Sequence, residues 1–77
     1  MSITTEDRFW HLFCISETLR EEKITYDLSI EAIYNQIPYG IAAHAALIGN
    51  ASPVCYWVME NILGYELDHE QEKWVKK

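Results

Sequence analysis

Apolar residues recur along most of this chain at spacings of three and four, and that period predicts helices. The first predicted helix opens on Thr4-Thr5-Glu6-Asp7, a hydroxyl cap followed by acids in the first turn. Phe9, Leu12, Phe13, Ser16 and Leu19 then recur at helical spacing, with Trp10 and Cys14 flanking that stripe. The helix should end near Glu22, after about 17 residues. Ile24, Tyr26 and Leu28 alternate with Thr25 and Asp27, but no partner strand is in view, so the segment reads as a connector. Asp27 or Ser29 caps a second helix whose face is Ile30, Ile33, Tyr34 and Ile37. Pro38 stops it, because the ring removes a donor and crowds the preceding turn. Tyr39-Gly40 makes a corner. Residues 41–48 form a short alanine-rich helix, and Gly49-Asn50 suits a left-handed cap after it.

Ser52-Pro53 restarts the chain, with Ser as N-cap and Pro at the first helical position. The fourth helix runs from 53 to about 63, and Gly64 ends it. The tail from Asp68 is expected to form a last short helix, with Asp68 as cap and Trp74 and Val75 as its only apolar contacts. The expected fold class is therefore all-α: a single domain over 1–77, a bundle of four to five short helices with a helix-turn-helix-like pair at 41–63. In the fourth helix Val54, Cys55, Tyr56, Trp57, Val58 and Met59 follow one another, covering every direction of the helix. Such a helix must be buried all round, either by the rest of the chain or in part by a second one.

Composition narrows this further. The chain has 77 residues, 49 % of them hydrophobic, enough for one core and too apolar for a disordered acidic tail. No apolar run approaches the roughly 18 to 20 residues of a membrane span. No basic-then-apolar leader precedes Glu6 and Asp7, and two cysteines are too few for a disulfide scaffold. A reducing, cytoplasmic setting is the expectation.

Charge changes the picture most. The net charge is −6, and all six basic residues sit near the ends: Arg8, Arg20, Lys23, Lys73, Lys76 and Lys77. Between positions 24 and 72 there is no Lys or Arg, while Asp27, Glu31, Glu60, Glu66, Asp68, Glu70 and Glu72 all lie there. Nucleic-acid binding needs cations that displace phosphate counterions, and anionic membranes need them too, so neither is the expected partner. An acidic surface fits a protein with a basic one.

Candidate chemistry is sparse. His11 and Cys14, three apart on one helix, are half of a zinc site, and Cys55, His44 and His69 each stand alone in sequence. With no second close pair, no metal and no other cofactor is expected. Cys14 and Cys55 read as buried small hydrophobes and His11 as a helix-surface residue. His44 shares a face with Ile41, Ala45 and Ile48 and reads as a core-edge histidine. A Cys–His nucleophile lacks any local sign of a base, an orienting group or an oxyanion site, so an enzyme is not expected.

Ala45, Gly49 and Val58 have the spacing of a helix-turn-helix, in which a small residue allows close packing, glycine makes the turn and a later apolar residue seats the second helix. Ile37-Pro38-Tyr39-Gly40 followed by Ala46-Leu47-Ile48-Gly49 resembles the helix-turn-helix of DNA alkyltransferase-like proteins. The resemblance implies DNA binding and covers about a third of the chain. This sequence departs from that family in its closer spacing of the two pieces, in lacking basic residues on the second helix and in lacking the reactive-site motif, so no functional residue carries over. The second helix opens Pro53-Val54-Cys55-Tyr56-Trp57, which offers no cation to phosphate or guanine.

The functional expectation is a small acidic protein-binding module, an inhibitor or regulator that occludes a partner protein. That profile is common among phage and mobile-element inhibitors of host machinery, the anti-CRISPR type included. Tyr56, Trp57 and Met59 are its expected anchors, with Glu60, Glu66 and Asp68 meeting basic residues of the partner. A homodimer is the other expected use of the apolar surplus. The rivals are a transcription regulator with a degenerate helix-turn-helix and, least favoured, a small Cys/His enzyme.

Overall fold

The structure, a computed structural model, describes residues 3–77. Four helices and a terminal β-hairpin follow one another: α1 (Thr5–Glu21), α2 (Ile30–Asn35), α3 (Tyr39–Ile48), α4 (Ser52–Asn61), β1 (Tyr65–Asp68) and β2 (Lys73–Lys76). The chain is mostly helical but not all-α.

Local chemistry sets the ends of α1. Thr4 Oγ1 accepts from the Asp7 backbone N–H at 3.1 Å, and Asp7 Oδ2 accepts from the Thr4 N–H at 3.1 Å, a reciprocal capping box. At the other end Lys23 adopts φ 56°, the Ile24 N–H donates to the Leu19 carbonyl at 3.0 Å and the Lys23 N–H to that of Arg20 at 3.2 Å. That is a Schellman turn built without glycine, and Ile24 packs on the core beside it. Ser29 caps α2 by accepting from the Ala32 N–H. Gly49 (φ 67°) closes α3 with the same bond pattern, its own N–H reaching Ala46 and that of Asn50 reaching Ala45.

Two boundaries differ from expectation. Tyr39 and Gly40 are the first turn of α3 rather than a corner, because Pro38 itself stands at the N-cap and needs no N–H there. Ser52 lies inside α4, whose N-cap is Ala51. Asn50 does the capping work instead, its Oδ1 accepting from the Ser52 N–H at 2.9 Å.

The larger correction is the tail. Residues 65–76 form an antiparallel hairpin, with Tyr65 opposite Lys76, Leu67 opposite Trp74 and Asp68 opposite Lys73. Tyr65, Leu67, Trp74 and Lys76 share one side, and Tyr65 and Trp74 pack against the core. Asp68 accepts from the N–H groups of Glu70 and Gln71 at Oδ1 and from Gln71 Nε2 at Oδ2. An N-cap does the same locally, but here the chain turns back instead of winding on. Lys77 N–H to the Gly64 carbonyl and Lys76 Nζ to the Leu63 carbonyl tie the returning strand to the end of α4.

α4 is the centre of the packing. It buries Val54, Val58 and Met59 and meets α1, α3 and β1. Its surplus of apolar side chains is thus covered largely within the chain. The core completes with Ile15 and Leu19 from α1, Ile33, Tyr34 and Ile37 from the α2 region, and Ala42 and Ala45 from α3.

Candidate functional site

The expected anchors on α4 separate. Met59 is fully buried in the core, so it forms no part of an outer surface. Trp57 packs against the core and is half-buried. Tyr56 alone points outward, 47 % exposed, its ring edge-on to Trp74 at 5.4 Å between centroids. Of the expected acidic contacts, Glu60 and Glu66 are exposed, whereas Asp68 is half-buried and spends its oxygens on the hairpin loop.

Tyr56 and Trp74 form one wall of a groove of about 280 Å³ between α1, α4 and the hairpin. Phe13, Cys14, Glu17, Thr18 and Glu21 of α1 form the other, and Cys55 lies between them. Helical spacing puts 14, 17, 18 and 21 on one flank of α1. Burial pushes the Cys14 thiol up, and the nearby Glu17 carboxylate adds to that. Burial pushes the Cys55 thiol up as well, against a hydrogen bond from Thr18 Oγ1 at 3.7 Å. Both thiols stay protonated near neutral pH and act as apolar lining with little nucleophilic character. The groove offers aromatic faces, the carboxylate of Glu21 and that of Glu17, which Arg20 already pairs.

The first helix does not bury the stripe its sequence suggests. Its inward residues are His11, Ile15 and Leu19. Phe9 and Phe13 from the expected stripe, and Trp10 beside it, are exposed. His11 is the correction of most consequence, 1 % exposed where a surface residue was expected. Its Nδ1 lies 2.9 Å from the Tyr34 hydroxyl, one hydrogen bond whose direction follows the imidazole tautomer. Burial lowers the pKa of His11, and Asp7, one turn away, pulls it back up. Arg8 lies over the other partner, 5.2 Å from the Tyr34 ring centroid. His44 is exposed on α3, where a core-edge position was expected. The only sequence signal for His11 was its spacing to Ile15 and Leu19, which the neighbouring aromatics mask.

The helix-turn-helix positions take the places their spacing implies: Ala45 and Val58 are buried and Gly49 is left-handed. The outward residues of α4 include Ser52, Tyr56, Glu60 and Asn61, none of them cationic. Among the described residues no group of three or more His, Cys, Asp or Glu could hold a metal ion, and no helix is long and apolar enough to cross a membrane. Comparison with protein-family models, with curated proteins and with solved structures finds no match to this chain.

Proposed function

We propose that this chain is a small acidic protein-binding module that inhibits or regulates a partner by occupying a basic surface on it. The observation that carries this reading is the groove between α1, α4 and the hairpin, where Phe13, Tyr56 and Trp74 stand beside Glu17 and Glu21. Aromatic faces with carboxylates at the rim suit a Lys or Arg side chain, whose stem packs on the rings while its head meets the acids. Three of the chain's six cations are engaged within it. Arg20 pairs with Glu17, Arg8 covers Tyr34, and Lys76 lies 5.0 Å from the Tyr65 ring centroid. Twelve acids against six bases leave the chain with a net charge of −6. The profile is common among phage and mobile-element inhibitors, the anti-CRISPR type included, and occlusion of a partner needs no catalytic centre. Protonated thiols and a buried, hydrogen-bonded His11 favour binding over nucleophilic chemistry.

The test is a titration of isotope-labelled protein with an amphipathic Arg/Lys peptide carrying one aromatic residue. Expected are chemical-shift changes at the Trp74 indole and around Tyr56, with affinity falling roughly ten-fold in Tyr56→Ala and in Glu21→Lys. Shifts spread evenly over the surface, or indifferent to both substitutions, would sink the assignment. A DNA-binding regulator is the second reading. The left-handed Gly49 turn between α3 and α4 favours it, and the hairpin follows α4 directly. It requires DNA affinity that falls steeply with salt, and no shift on DNA at low salt removes it.

A further inference from the structure

The outward face of α1 is apolar where a surface helix is ordinarily polar. Phe9, Trp10 and Phe13 are 66 %, 53 % and 55 % exposed, and the last two stack with ring centroids 6.0 Å apart. Side chains of this type carry about 150–250 Å² each, so the three leave roughly 300–400 Å² of aromatic surface in one ridge. That is as large as the largest patch on a typical monomer, a size that marks an interaction site. Glu6 extends the ridge toward the N-terminus, Ser16 and Arg20 toward the C-terminus, and all of these are exposed.

We propose that a second copy of this chain covers this ridge, in an antiparallel α1–α1 contact with its two-fold axis at Phe13. Helix geometry makes the ridge complementary to itself. With Phe13 on the axis, Glu6 falls opposite Arg20 of the second copy, Trp10 opposite Ser16 and Phe9 opposite Glu17, and each pair occurs twice. Glu6 and Arg20 are fourteen positions apart, about 21 Å at 1.5 Å per residue, so they cap the two ends of the aromatic ridge. Arg20 is the lone cation of that face. A basic partner would meet it as a like charge, whereas a second copy answers it with Glu6. The guanidinium already pairs with Glu17 and has donors left for a second carboxylate. Antiparallel helices also align their dipoles favourably.

The two ridges with their polar ends cover roughly 1,000 Å² in total, the low end for specific interfaces, so the dimer is weak, with a micromolar Kd. Net charge of −6 on each copy opposes it, and moderate salt relieves that opposition. Phe13 and Glu17 also border the groove, so dimerisation and groove binding are coupled. The dimer is read on the protein alone, independently of any partner.

Sedimentation equilibrium over a concentration series tests the inference. The unaltered chain should associate to a dimer in the micromolar range. Glu6→Arg and Arg20→Glu should each weaken it roughly ten-fold, and the double exchange E6R/R20E should restore it. Phe13→Glu, which sets two carboxylates on the axis, should give a monomer with unchanged far-ultraviolet circular dichroism. An unaltered chain that stays monomeric to millimolar concentration overturns the proposal. So does a dimer that survives Phe13→Glu, or one that the double exchange fails to restore.

Discussion

His11 sits inside the protein against the Tyr34 hydroxyl, one turn of α1 away from the capping residue Asp7. Burial lowers its pKa from the ordinary 6.5. Between that value and the lowered one, the unfolded chain binds a proton that the folded chain excludes. The stability tied to neutral His11 is complete above 6.5 and is lost as pH falls through the folded value. Thermal unfolding should therefore drop in midpoint on going from about pH 7.5 to about pH 5, and His11→Gln should flatten that slope. A wild-type midpoint that does not move over this interval removes the argument. Asp7 acts lower. Bonds from the Thr4 backbone N–H, then from its hydroxyl, hold the Asp7 carboxyl below 3.8. The cap's contribution is full above that value and disappears only as pH falls through the lowered one.

At the scale of elements, α1 shows how a helix can be legible while its inward face is not. Cap, length and end follow from Thr4, Asp7 and the Schellman turn, all of them local. Periodicity does not single out the inward face because apolar residues nearly encircle the helix: Phe9, Phe13 and Trp10 on one side, Ile15 and Leu19 on the other. Which side goes in depends on the shape of the cavity that α2 and α4 leave. Aliphatic Ile15 and Leu19 with His11 fill it, and the three rings stay outside. Ile15→Ala should accordingly cost about 2–5 kcal/mol in chemical denaturation, against a shift within about 0.5 kcal/mol for Phe9→Ser in the monomer. Equal costs at the two positions would reverse the assignment of faces. The hairpin is hard to read from the sequence for a different reason. Its four-residue strands carry a weak alternation, and pairing depends on a loop that Asp68 holds and on Glu72 at φ 54°. Nothing in the residue type announces that glutamate can sit there.

Across the whole molecule, charge separates from fold. The acids that stretch from 24 to 72 in sequence are spread over α2, α4, the connector and the hairpin, and at net −6 they repel one another. Added salt should raise the unfolding midpoint by several degrees when followed on the monomeric Phe13→Glu variant, where association cannot contribute. A midpoint that falls with salt would mean that ion pairs such as Glu17–Arg20 outweigh the repulsion. On the candidate site, Tyr56, Glu60 and Glu66 do reach the exterior, while Met59 enters the core and Asp68 serves the loop. The groove itself joins residues 13 to 21 with 50 to 56 and Trp74. No local pattern links three segments so far apart.

The starts of α3 and α4 were not legible in the amino-acid order, whereas the four helices, the capped start of α1, the breaks at Pro38 and Gly49 and the distribution of charge were. Each of these depends on interactions within a few residues or on composition alone. Three-dimensional packing sets which face of α1 is buried, places His11 and Met59 inside, pairs the tail as a hairpin and brings Phe13, Tyr56 and Trp74 to one groove. Those outcomes are set by volume and by long-range contact. A side chain of either polarity is buried or exposed according to the space its distant neighbours leave, and periodicity does not encode that space.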